Sequence, residues 1–436
     1  MSSRLPIVII LGATGTGKTK LGLELAQKFE TEVISADSMQ VYKGLDVVTA
    51  KATCQERELV HHHLLDILEP HQNFTVVDFR NRTLKIVSFR KMPIIVGGTV
   101  YYLESVVYKI LVQDIDNSET LLMEKRQRKR DLEVDVTNGP AEQLQEFVDN
   151  ENRFTNEEIH SKLKAIDPVM ASKIHPNNRR KILRYAPINT SIEVWLKMGR
   201  RHSEILAEQH ISEGKLRYPE STIIFWLTCD QAVHDERLDR RVDKMLEDGL
   251  IDELLDFHAR HNQKRIQDDY TKGIFQTLGF KEFHDYLMLS EDERNSENGK
   301  KLLQECIEKM KIATRRYARR QNKMVKGRFL EHPRREVPNV WKLDTTDVSK
   351  WDEQVKNKAI QIVESFINES PLPYEPLKIV LEEEKKNIDA KSNNFCETCG
   401  RFIIGDKEFK IHLESNRHLK CIKRKKSEEK KKDVLK

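Results

Sequence analysis

Cysteine is scarce in this 436-residue chain, with only Cys54, Cys229, Cys306, Cys396, Cys399 and Cys421. Of these, Cys396 and Cys399 alone stand at a motif spacing. The other four read as isolated thiols, which suits a reducing compartment and excludes a disulfide scaffold. Long apolar runs are also missing. No stretch approaches the roughly 20 residues that a bilayer-spanning helix needs, so no membrane partner is expected. Only six residues precede the first strand pattern, leaving little room for a cleavable presequence. No internal repeat is present. Net charge is nearly balanced, at +5.

The balance hides an uneven distribution. Residues 309–335 carry eleven Lys or Arg against one acidic residue, and residues 420–436 carry nine against three. A single charge run is usually a solvated face. Two such runs point to a polyanionic partner. The length allows two or three domains with a sizeable core.

Glycine is used where it counts. Gly12, Ala13, Thr14, Gly15, Thr16, Gly17, Lys18 and Thr19 fit the phosphate-loop pattern G-x-x-x-x-G-K-[ST]. The apolar run Ile7–Leu11 precedes it, and a helical pattern with Leu21, Leu23, Leu25 and Ala26 follows. In that context backbone amides turn onto an anion at a helix N-terminus. Lys18 would reach a terminal phosphate, and the Thr19 hydroxyl would bind phosphate or Mg²⁺. The loop alone does not say which phosphate compound binds.

Around it, strands are expected at 7–11, 32–35, 45–49, 64–67 and 93–97, with helices at 18–29, 75–90 and 99–109. That alternation implies a parallel sheet covered by helices, with ligands at the carboxyl ends of the strands. Residues 115–215 read as an inserted helical subdomain. The sheet resumes at Thr222–Thr228. Helices follow at 231–246, 249–261, 273–287 and 298–326, then a strand at 339–343 and a helix at 350–369. A Pro-rich break at 371–376 and a charged connector lead to the C-terminus. The expected domains are a catalytic core in two parts, 1–115 and 216–345, a helical insertion, 116–215, a helix and linker, 346–390, and a finger with basic tail, 391–436.

Asp37 follows the second strand in Ser35-Ala-Asp-Ser-Met-Gln40. It reads equally as a general base or metal ligand and as a cap or turn residue. Gly97-Gly98-Thr99 opens the next helix. Its glycines permit close approach to a ligand, and Thr99 offers a hydroxyl; an N-cap after a tight turn is the bland alternative.

With these segments in view, the chain resembles the tRNA dimethylallyltransferases (tRNA isopentenyltransferases). The motifs that carry the resemblance are Gly12–Thr19, Ser35–Tyr42, Val96–Leu103, His175-Pro-Asn177, Gly273–Glu282 and Thr314-Arg-Arg-Tyr-Ala-Arg-Arg-Gln321. They stand in family order over roughly residues 5–330. The resemblance implies transfer of a dimethylallyl group from dimethylallyl diphosphate to the exocyclic amine of the adenosine 3′ of the anticodon. Within it, Gly12–Thr19 holds the diphosphate, Thr19 helps place Mg²⁺, Asp37 takes a proton or hydrogen bond from the amine, and Thr99 lies beside the reacting centre. Asp37, Ser38, Met39 and Gln40 meet the anticodon loop of the tRNA.

Further roles follow from the same resemblance. Arg237, Arg240 and Arg241 suit a diphosphate or backbone-phosphate role, with Arg241 assigned to the diphosphate; a basic exposed helix face is the alternative. Arg315, Arg316, Arg319 and Arg320 form two rows at helical spacing and read as tRNA backbone contacts, as do Arg180 and Arg184. Two departures stand out. Asn178 replaces the family's usual Asp, and residues 185–190 look inserted into a helix that Pro187 would break. Deleting those six residues is expected to leave activity equal or higher. Asn322-Lys-Met324 also departs from the bacterial pattern.

Cys396-x₂-Cys399-x₁₂-His412-x₅-His418 is a four-ligand pattern that suits tetrahedral Zn²⁺. Phe395, Phe402, Phe409 and Leu413 are candidates for its small core. The long His spacing resembles matrin- or U1-type fingers and points to a eukaryotic or fungal family member. His61-His62-His63 has no partner at ligand spacing, and no metal is assigned to it. The expected protein is thus an α/β enzyme with a P-loop-like parallel sheet flanked by helices, a helical insertion and a zinc finger. It is expected to be monomeric and cytoplasmic, with nuclear and mitochondrial pools as further expectations. Two rivals stay open: a P-loop small-molecule kinase, and a non-catalytic tRNA-binding protein.

Overall fold

The computed structural model describes residues 5–87, 91–109, 155–173, 214–262, 270, 273–332, 335–377, 393–399, 401–404, 406–416, 418–422 and 424. Arg180, Arg184 and the 185–190 segment lie outside the described residues. The chain divides into two compact units, residues 1–109 with 214–380, and residues 110–213 with 381–436.

The first unit is built on six parallel strands in the order β3-β2-β4-β1-β5-β6. They are β1 Ile7–Gly12, β2 Val33–Ser35, β3 His62–His63, β4 Ile94–Gly97, β5 Thr222–Thr228 and β6 Val340–Asp344. Every residue of β1 is buried. Its unbroken Ile/Val run suits a central strand covered on both faces. Helix α1 (Lys18–Lys28) lays Leu21, Leu25 and Ala26 on one face. Helix α8 (Asn357–Ile367) adds Ala359, Ile362 and Val363 to the same core. Between them in the chain come α2 (Cys54–Leu59), α3 (Val76–Val87), α4 (Val100–Val107), α5 (Gln231–Glu247), α6 (Leu250–Phe257) and the 29-residue α7 (Glu297–Val325).

Two expected strands are absent. Residues 45–49 form turns, and the strand expected at 64–67 lies instead at His62–His63. Leu45 and Ala50 have φ of 55° and 48°, and Leu64 and Asp66 have φ of 60° and 56°. Left-handed residues cannot run through a strand. The whole excursion from 36 to 68 is instead tied by a buried cation. The Lys51 ammonium, its side chain fully buried, donates to Tyr42 O at 2.7 Å and Gly44 O at 2.9 Å, and pairs with Asp46 and Asp66. Beneath it Val41, Tyr42, Leu45 and Val48 join Leu254, Phe257, Phe280 and Met310 in a second core.

The expected helix 273–287 is broken into the short turns Gly273–Gln276, Lys281–Phe283 and His284–Leu287. Glu282 accepts the Gly279 N–H at 2.8 Å and pairs with Lys281, so this pair shapes a turn. The helix expected at 350–369 begins as tighter and wider turns and becomes regular only in α8. Helix α2 was not expected, although Thr53 and Glu56 close a capping box around its start.

In the second unit, Asn156–Ile166 and Pro168–Lys173 are helices, the first closed by a Thr155/Glu158 capping box. Also in that unit, Asn393–Cys396 and Arg401–Ile404 pair antiparallel ahead of the helix Asp406–Glu414. Among the described residues no helix is long and apolar enough to cross a membrane.

Candidate active site

The parallel order puts the carboxyl ends of β1, β4 and β2 side by side on one rim. β1 runs into Gly12–Thr19, β4 into Gly97-Gly98-Thr99, and β2 into Ala36-Asp37-Ser38. All three turns predicted to carry chemistry therefore meet. The last two are also bonded to each other. Thr99 N–H donates to Ala36 O at 3.2 Å. The Thr99 hydroxyl accepts the Ser38 N–H at 3.0 Å and meets the Ser38 hydroxyl at 3.3 Å. Thr99 stands at the N-cap position of α4 but makes no side-chain cap there; its hydroxyl reaches the neighbouring turn instead. Gly97 is required by contact, because a Cβ would lie 2.1 Å from Ala36 O.

Asp37 makes the contact expected of a turn residue and also stands in a charged setting. One carboxylate oxygen accepts the Met39 N–H at 2.9 Å, a turn contact. The same carboxylate feels Lys18 and Arg241. Loss of hydration pushes its pKa above the usual Asp range, and the two backbone N–H groups of Met39 and Gln40 and the two cations only partly oppose that. Lys18 is driven the other way. Burial, then the Arg241 charge, lower it to about 8 against the pull of Asp37. Its ammonium donates to Ala13 O at 2.7 Å. Burial also lowers the Arg241 pKa, opposed by Asp37. Two desolvated cations beside one desolvated carboxylate make an uncommon cluster, of the kind found at functional sites. Thr19 is exposed in the first turn of α1, where no acidic residue stands.

The three arginines of α5 separate. Arg241 alone joins this cluster. Arg237 donates to Thr345 O and Thr346 O at 3.0 and 3.2 Å, fastening α5 to the end of β6. Arg240 points to solvent and pairs with Glu236. Gln40, expected to meet RNA bases, is internally engaged. Its amide donates to Thr49 O and Ala50 O at 3.1 Å and accepts from the Ser35 hydroxyl at 2.9 Å. Ser38 and Met39 are half-buried.

The arginines of α7 divide likewise. Arg315 and Arg319 pair with Asp239 and Asp235 of α5, and Lys311 continues the ladder to Asp243 at 2.6 Å. Arg316 and Arg320 are exposed. A four-residue spacing on both helices produces this match.

Three residues with no assigned role hold the phosphate loop. Gln321 accepts the Thr14 N–H at 2.9 Å and donates to Gly98 O at 3.1 Å. His234 meets Thr14 O through Nε2 at 2.8 Å, and burial lowers its pKa. The Trp351 ring lies against Gly17, where a Cβ would sit 2.8 Å from it, and Trp351 donates to Glu24 at 2.9 Å. Tyr102 is core, stacked on Phe79 with ring centroids 4.3 Å apart.

In the second unit the ligand atoms of Cys396, Cys399, His412 and His418 lie within 4.8 Å of one another. His418 Nδ1 is 3.4 Å and 3.3 Å from the two sulfurs. Two thiols and two imidazoles converging so closely fit a tetrahedral metal. One expectation changes here. Leu413 is 40% exposed and not core. The side chains of Phe395 and Phe402 lie outside what is described. His63 pairs with Glu32 at 2.7 Å.

A family model described as IPP transferase matches residues 40–328, and one described as isopentenyl transferase matches residues 5–73. The tRNA dimethylallyltransferase of Homo sapiens is 42% identical, across 96% of this chain and 86% of its own. That of Schizosaccharomyces pombe is 33% identical, across 97% and 96%. Among solved structures, a eukaryotic dimethylallyltransferase acting on tRNA is 29% identical, with a TM-score of 0.77 over 99% of this chain and 100% of that one.

Proposed function

Because the chain belongs to the tRNA dimethylallyltransferase family and transfers a prenyl group to tRNA, we propose a specific division of labour at the rim. The donor is dimethylallyl diphosphate, seated on Gly12–Thr19. The acceptor is the exocyclic amine of the adenosine 3′ of the anticodon. The kinase and the non-catalytic alternatives fall with the family assignment.

One observation carries the reading: the Gly12–Thr19 loop with Lys18, the Asp37 turn and the Thr99 turn converge at the carboxyl ends of β1, β2 and β4, where the Lys18 and Arg241 charges act on the Asp37 carboxylate. The departing diphosphate gains charge as the allylic C–O bond breaks. Loop amides, Lys18 and Arg241 face that charge without the reorganisation that water would need. The aryl amine is a weak nucleophile. Asp37 positions it and takes its proton as the C–N bond forms. The adenine leaves its stack to reach the half-buried Asp37 carboxylate, at a cost of a few kcal/mol. Thr99 and Ser38 fix the turn from which Asp37 projects.

Mg²⁺ fits the same turn. The exposed Thr19 hydroxyl, with diphosphate oxygens and water, suits a cation that keeps few protein ligands and neutralises phosphate charge. Zn²⁺ fits Cys396, Cys399, His412 and His418, where it would supply folding free energy. Arg316 and Arg320, the exposed pair on α7, are the backbone-phosphate contacts. We further propose a monomeric, cytoplasmic enzyme. The test is mass spectrometry of nucleosides from tRNA incubated with the protein, dimethylallyl diphosphate and Mg²⁺, with ATP as the control donor. A dimethylallyl adduct on adenosine 3′ of the anticodon is expected; no adduct, or one at another base, overturns the assignment.

A further inference from the structure

Gln321 occupies an unusual place. It stands on α7, 3% exposed, and its one amide bonds to two turns at once. Its oxygen takes the N–H of Thr14, in the loop assigned to the diphosphate. Its nitrogen donates to the carbonyl of Gly98, in the turn that leads to Thr99 and, through Thr99, to Ser38. No space is left around it. A Cβ on Gly98 would lie 2.3 Å from the Gln321 nitrogen. Thr14 is gripped from its other side, where His234 holds its carbonyl.

We propose that Gln321 is a positioning residue that sets the spacing between the donor loop and the acceptor turn. This deepens the reading of the rim given above and rests on it. Gln321 needs to touch neither substrate; it acts through Thr14 and Gly98. An amide suits the task because one planar group both accepts and donates. A carboxylate would keep the acceptor and lose the donor, and a thioether would lose both. The amide also adds no charge beside Lys18, Arg241 and Asp37. Bond formation between the two substrates depends on their separation, and a misplacement of about 1 Å costs about 10²-fold in rate.

The test compares Gln321→Met and Gln321→Glu with wild type, with active sites counted by the stoichiometry of inorganic pyrophosphate binding. Per active site, Gln321→Met is expected to lose about 10- to 100-fold in kcat. KM for each substrate should stay within about threefold. Gln321→Glu, keeping the Thr14 contact, should fall between Met and wild type. A purely structural role would lower the number of active sites and leave kcat per site alone. Gly98→Ala attacks the same contact from the other side without altering α7, and should reproduce the kcat loss if Gln321→Met does not fold. Wild-type kcat per site in Gln321→Met and Gly98→Ala overturns the proposal, as does a loss confined to KM for one substrate. A wild-type protein that forms no dimethylallyl adenosine instead overturns the reading of the rim.

Discussion

At the scale of single residues, protonation states decide the chemistry. Asp37 works as a proton acceptor only when ionised, and burial raises its pKa. The acid limb of kcat/KM should therefore lie above the ordinary Asp range. Lys18 must carry its proton to hold a diphosphate, and its pKa is lowered to about 8. The alkaline limb of kcat/KM for the donor should lie near that value in the free enzyme. Lys18→Arg should move that limb upward, since a guanidinium stays charged; a limb that stays put excludes Lys18 as its source. Asp37→Ala should reduce turnover by about 10²-fold or more, while tRNA affinity changes little. Near-normal turnover would remove Asp37 from the mechanism. The meeting of the Lys18 loop and the Asp37 turn on one rim was readable because each sits inside a short contiguous motif after a strand. Gln321 and His234 were not, although both were in plain view. Their partner, Thr14, lies 307 and 220 residues away, and no local spacing reports such a contact.

Elements show where pattern reading holds and where it stops. Strands β1, β4 and β5 were legible because unbroken apolar runs fit strands buried on both faces. Residues 45–49 and 64–67 imitate such runs, yet they turn through left-handed positions fixed by Lys51 and the core beneath. Replacing Lys51 by Met should therefore cost about 1–3 kcal/mol, the scale for polar groups left unsatisfied, because the Tyr42 and Gly44 carbonyls lose their donor while Asp66 keeps Arg57 and Asp46 faces water. Urea unfolding checks this, and an unchanged stability would mean that Lys51 does not tie the excursion. On α7, sequence spacing revealed two basic rows but not that α5 carries acids in register with one of them. Arg316→Ala and Arg320→Ala should each weaken tRNA binding and lower the salt slope by about one unit. Asp239→Asn should instead free Arg315 and leave RNA affinity equal or higher. Binding measured across a salt series distinguishes the two rows, and equal slopes for all variants would contradict it.

For the whole molecule, the finger brings four metal ligands together within its own unit, and none of the rim residues comes from residues 391–436. Removing those residues should raise KM for tRNA and largely preserve kcat at saturating tRNA. The difference should shrink as salt rises, because the tail contributes charge without base contacts. Chelation should reproduce the KM change if the metal folds the finger. A collapse of kcat at unchanged KM would instead make the finger part of the catalytic unit.

The strand order also has a consequence for how the chain is made. β1 pairs with β4 on one side and with β5 on the other. On a ribosome, β4 follows within the first hundred residues, but β5 begins at Thr222. At about 5–20 residues per second, the second edge of β1 waits roughly 10–40 s for its partner. Ile7, Val8, Ile9, Ile10 and Leu11 line that edge, a strand that is entirely buried in the finished sheet. A nascent chain halted before residue 222 thus offers an apolar, unpaired edge to any other chain nearby. Slow translation between β4 and β5 should raise aggregation of newly made protein, while the same delay after β6 should be harmless.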